Sequence, residues 1–144
     1  MNRTLISALL AVTLTLGCSG ADAARLYGLA AALGNADAQY NLGLMYDNGQ
    51  GVTQDYKEAV RLFGLAAAQG HAIAQSMLGL MYAEGRGVTQ DNVYAHMWLN
   101  IGASSGLADV VKTRDIVAGE MTAADISKAQ ELARECVKKK FKAC

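Results

Sequence analysis

From Ala36 onward the apolar positions recur with a helical period, and they do so twice. In 36–48, Ala38, Leu42, Met45 and Tyr46 fall on one face of a helix, with Gln39 and Gly43 at its edge. After a break at Gly49-Gln50-Gly51-Val52, residues Ala59, Leu62, Phe63, Ala66 and Ala67 make a second stripe, which Gly70 ends. The whole arrangement then returns. AQYNLGLMYDNGQGVTQD at 38–55 is restated as AQSMLGLMYAEGRGVTQD at 74–91, an offset of 36 residues, and 17 of the 36 positions in 36–71 are identical to those in 72–107. A fixed period of this length predicts an all-α stack of helix–turn–helix units.

The glycines refine that expectation. A glycine inside a helix costs about 1 kcal/mol relative to alanine, so Gly43, repeated as Gly79, predicts the close approach of a neighbouring helix. The Gly-x-Gly loops at 49–51 and 85–87 follow no strand. They lack the third glycine and the lysine of a phosphate cradle, and so read as helix stops that reverse the chain. Asp55 is placed to cap the second helix, with Glu58 three residues on to complete a capping box.

The flanks extend the array. ADAARLYGLAAAL at 21–33 matches the second half of a repeat, so the repeats run over 21–106 as a half repeat (21–35) and two full ones (36–71 and 72–107). Gly34 stops the half repeat and Asn35 can cap the next helix. From Leu107 the pattern decays. Val110 and Val117 keep the places of Ala38 and Met45, but Arg114 and Asp115 stand where Leu42 and Gly43 were. Residues 107–144 therefore read as terminal capping helices and a basic tail. The last helix should open with a Thr122–Asp125 capping box and a Met121–Ile126 staple, and bury Ile126, Ala129, Ala133, Cys136 and Val137. Lys138, Lys139, Lys140 and Lys142 suit a solvated helix terminus. The sharper alternative for them is contact with anionic lipid or another acidic surface.

At the other end, a basic Met-Asn-Arg start and the uncharged run Leu5 to Leu16 read as an export leader over residues 1–17, which extends to 23 if cleavage follows Ala21-Asp22-Ala23. The competing ending, Thr15-Leu16-Gly17-Cys18, resembles a bacterial lipobox, in which Cys18 would carry a lipid anchor. Either ending makes an exported bacterial protein, periplasmic or held at the outer membrane. In such an oxidising compartment Cys136 and Cys144 can pair. Eight residues of straight helix span about 12 Å, too far for a disulfide, so pairing requires the helix to end near Lys138 and the tail to fold back. The alternative is a buried Cys136 thiol.

Composition removes several function classes. The 13 basic and 13 acidic residues balance, which argues against nucleic-acid binding. The sequence has no HExxH, CxxC or SxxK motif and only two histidines. His71 falls at the repeat junction occupied earlier by Asn35 and reads as a cap or junction residue, and His96 reads as an ordinary partly buried side chain. Tyr46, Tyr82 and Trp98 read as core. No catalytic residue, metal ligand or cofactor site is expected.

The segments ALGNADAQ, GLMY, GxGVTQD and AHMWLN resemble the Sel-one-like repeat, a 36-residue relative of the tetratricopeptide repeat, and Arg114 to Ala133 is similar to a tail that often follows such repeats in bacteria. That resemblance implies a right-handed α–α superhelix whose first helices line a concave groove for partner proteins. The face opposite the core stripe would then form the groove. It comprises Asp37, Tyr40, Asn41, Leu44, Asp47 and Asn48 in the first copy, and Ile73, Ser76, Met77, Leu80, Ala83 and Glu84 in the second. Leu44, Ile73, Met77 and Leu80 would make its apolar patch. The alternative is that the array curls so that these residues pack on the next repeat or in a homodimer. The expected function is a non-enzymatic scaffold that clamps a partner peptide or helix. Two alternatives stand beside it: a cell-wall or β-lactam hydrolase, by analogy with cysteine-rich secreted relatives whose cysteine pairs this chain lacks, and a structural, homo-oligomeric cap.

Overall fold

The computed structural model describes residues 19–144. The leader reading and the lipidation reading of Cys18 lie outside these residues. Among the described residues seven helices follow one another: α1 (Gly20–Ala32), α2 (Ala36–Asn48), α3 (Tyr56–Ala67), α4 (Ala72–Glu84), α5 (Asn92–Ala103), α6 (Ala108–Gly119) and α7 (Ala123–Lys138). From α1 to α6 each helix packs on the next, and α7 returns to pack on α5. None of the described helices is long and apolar enough to cross a membrane.

The boundaries follow local chemistry. Ser19 caps α1 in a reciprocal capping box with Asp22, so a cut after Ala23 would fall inside this helix. Asn35 accepts from the Ala38 N–H at 2.8 Å, and His71, at the matching junction, accepts from the Ala74 N–H through Nδ1 at 3.1 Å. Gly49 and Gly85 end α2 and α4 in the left-handed region, each donating its N–H to a methionine carbonyl one turn back (Met45 and Met81). Asp55 caps α3 through the Lys57 and Glu58 N–H groups, but the expected capping box does not close. The Asp55 N–H is already bound to the Tyr46 carbonyl at 3.0 Å, and the Glu58 carboxylate turns to Arg61.

Packing carries the repeat inward. Phe63, Leu78, Met81, Met97 and Trp98 form the central core with small alanines, while Leu42, Met45 and Leu62 join α1 to it, and Leu99 with Val117 joins α6. Gly43 and Gly79 are where helices touch. A Cβ on Gly43 would lie 2.7 Å from the Phe63 ring, and one on Gly79 2.7 Å from Leu99 Cγ. Buried glutamines stitch successive units: Gln39 Nε2 donates to the Ala31 carbonyl and Gln75 Nε2 to the Ala67 carbonyl, both at 3.2 Å. On α7, Ala129, Ala133 and Cys136 are buried as expected, but Ile126 is half-buried and Val137 is 50 % exposed. The chain turns back beyond Lys138 and the Cys136–Cys144 disulfide closes it, with the two Cα atoms 5.4 Å apart.

Candidate partner-binding groove

The first helix of each unit presents one residue at the same place, 36 positions apart: Leu44 on α2, Leu80 on α4 and Ile116 on α6. The helices hold these positions because the adjoining positions are anchored in the core. Met45, Met81 and Val117, each one residue further on, are buried in the core. Leu44 and Leu80 are half-buried, and Ile116 is 68 % exposed.

The expected groove residues divide into three groups. Asp37, Asn48, Ile73 and Glu84 are exposed. Tyr40, Asn41, Leu44, Met77, Leu80 and Ala83 are half-buried, and Tyr40, Leu44 and Met77 also lean on the central core, so part of the apolar patch already serves packing between repeats. Ser76 does not reach the groove. It is 5 % exposed, donates from Oγ to the Ala72 carbonyl at 3.0 Å, and sits where α4 crosses Gly102 of α5. A Cβ on Gly102 would meet the Ser76 Oγ, so this is a second point of helix contact.

Polar groups fix the rim. The His71 ring stacks on Tyr40 at 4.8 Å, and its Nε2 lies 3.3 Å from Asp37 Oδ1. Asn41 donates to the Asp37 carbonyl at 2.7 Å. Asp47, placed on the groove face by its position in the sequence, is instead 7 % exposed. It is paired with Arg86 Nη1 at 2.9 Å across 39 residues of chain. Arg86 also pairs with Glu84 and lies over the Tyr56 ring, 5.5 Å from its centre. This one cation ties the end of α2, the start of α3 and the second loop together.

Ile116 is an exposed apolar residue on this row that the sequence reading did not include. The repeat pattern decays at Arg114 and Asp115, yet Ile116 lies 72 residues after Leu44, twice the repeat period, and that spacing is its signal in the sequence. Among the described residues no group of three or more His, Cys, Asp or Glu side chains is placed to hold a metal ion. His96 is buried at 4 % exposure on α5, more deeply than expected, and its Nδ1 has no hydrogen-bond partner among the described residues. Burial and the nearby Arg114 lower its pKa, and Asp115 partly opposes them.

Comparison with known proteins places this geometry. The Sel1 repeat matches residues 36–71 and 72–107. Comparison with curated proteins gives no match. Among solved structures, a protective antigen present in uropathogenic Escherichia coli strains and displaying an SLR fold superposes with a TM-score of 0.86 at 28 % identity, covering 97 % of this chain and 32 % of that one. This chain therefore spans about a third of that protein's length. A Sel1 repeat protein from Oxalobacter formigenes superposes with a TM-score of 0.69 at 32 % identity, covering 76 % of this chain and 87 % of that one.

Proposed function

Because this chain belongs to the Sel1 repeat family, whose repeats generally serve as protein–protein interaction scaffolds, we propose that it is a non-enzymatic scaffold gripping a partner protein across α2, α4 and α6. The observation that carries this reading is the row Leu44, Leu80 and Ile116. It is apolar in all three units, rises to 68 % exposure at its end, and adjoins the buried positions of its helices. Apolar side chains that the core leaves partly or wholly uncovered favour association, and the exposed Asp37, Asn48 and Glu84 supply polar groups on the same helices. The protein is exported to the bacterial envelope in this reading, supported by the basic start and the uncharged run from Leu5 to Leu16.

A photo-crosslinking residue placed in cells at position 80 or 116, with position 57 as control, tests the groove. One dominant partner captured from 80 and 116 but not from 57, and lost in Leu80→Glu, is the expected result. Capture of the protein itself would make the row a dimer interface. Equal capture from all three positions would overturn the groove.

A further inference from the structure

The C-terminal segment has a feature that the groove does not use. Between the paired Cys136 and Cys144 lie seven residues, of which Lys138, Lys139, Lys140 and Lys142 are four. All four are exposed, and only Lys138 has an acidic partner among the described residues, Glu135 at 2.8 Å. The loop is held in shape. The Phe141 N–H donates to the Cys136 carbonyl at 2.9 Å, and the Phe141 ring packs over Gly70, where an added methyl would come within 3.2 Å of it. Lys140, Phe141 and Ala143 adopt φ of +53°, +63° and +55°, the left-handed region that side chains other than glycine's rarely hold. Disulfide and aromatic anchor together keep the lysines on one compact knob.

We propose that this cystine-closed loop is a docking site for an anionic lipid surface. Lysine ammonium groups act as strongly hydrated point charges, suited to a diffuse layer of phosphates rather than to the fixed planar geometry that arginine reads. Beside the lysines, the exposed Val137 adjoins an open cavity of about 450 Å³ whose lining includes Ile101, Ala133 and Phe141, with Arg134 and Lys138 among the residues around it. Apolar surface next to cations matches the boundary between headgroups and acyl chains. Nucleic acid fits less well. Residues 134–144 carry five basic and one acidic side chain, whereas residues 1–133 carry eight and twelve, so a long polyanion would be repelled beyond the knob.

The test uses the full oxidised chain sedimented with vesicles of phosphatidylcholine, with and without phosphatidylglycerol. Comparing variants that share the same N-terminus separates the knob from the apolar run at 5–16. Partitioning to the anionic vesicles is expected to weaken about fivefold for each of Lys139→Gln, Lys140→Gln and Lys142→Gln and to fall with added salt. Reduction, or Cys144→Ser, is expected to weaken it with the charges intact. Circular dichroism confirms that each variant is folded. Equal binding to neutral and anionic vesicles, or undiminished binding by the triple lysine variant, would overturn the proposal. Leu80→Glu should leave vesicle binding unchanged, so this inference and the groove can fail separately.

Discussion

Gly87 lies directly against the backbone of Tyr56: a Cβ at Gly87 would collide with the Tyr56 carbonyl group. One unit earlier, Gly51 meets Gly20 in the same way, and a Cβ there would collide with the Gly20 carbonyl. Both partners shift by 36 residues, so the second glycine of each loop is where that loop abuts the start of the preceding unit's second helix.

Gly87→Ala is therefore expected to cost well over the roughly 1 kcal/mol of a left-handed backbone alone, because the methyl must also displace main chain. Gly106→Ala is its control. Gly106 has φ of +81°, but nothing lies within 4 Å of where an added methyl would sit, so its loss should stay near that lower figure. Urea unfolding of the two variants measures the difference, and equal losses would mean that the close approach contributes nothing.

Gln75→Leu removes the side-chain donor that holds the Ala67 carbonyl. An unmade buried hydrogen bond costs about 1–3 kcal/mol, and this one joins two repeats. The midpoint of chemical unfolding should fall accordingly. An unchanged midpoint would show that solvent reaches the carbonyl when the amide is removed.

Arg86→Met should destabilise the fold by about 2 kcal/mol, below the 3–5 kcal/mol seen for fully buried pairs, because Arg86 keeps 31 % of its side chain exposed. The loss leaves Asp47 buried without its cation. Adding Asp47→Asn should recover part of the stability, and a double-mutant cycle reads the coupling. Strict additivity would show that the pair is not coupled.

His96 supplies a pH dependence. The folded state favours the neutral ring, since burial lowers the pKa from its ordinary value of 6.5. The unfolded chain thus takes up a proton more readily as pH falls. Stability is full above about pH 6.5 and declines as pH drops from there toward the depressed folded-state pKa. Thermal unfolding from pH 7.5 to 5 should show a smaller decline for His96→Gln, which keeps a polar side chain and leaves His71 in place. Identical profiles would assign the acid sensitivity to other groups.

The sequence by itself determined the repeat, its helices, the left-handed glycine stops and the caps at Asn35, Asp55 and His71. These features are set by neighbours three or four residues away, and each is stated more than once in the chain. It also showed through Gly43 and Gly79 that helices must touch, because an interior glycine is unfavourable unless something offsets it. Tertiary structure decided what depends on distant units. Asp47 is buried because Arg86 reaches it across 39 residues, and Ser76 is buried because Gly102 of α5 leaves room for its hydroxyl. Ile116 is left exposed on α6 while Val117 beside it anchors that helix against α5. The Cys136–Cys144 pair also needed the fold. Spacing along a straight helix forbids it, and only the return of the tail, with Phe141 over Gly70, brings the two sulfurs together.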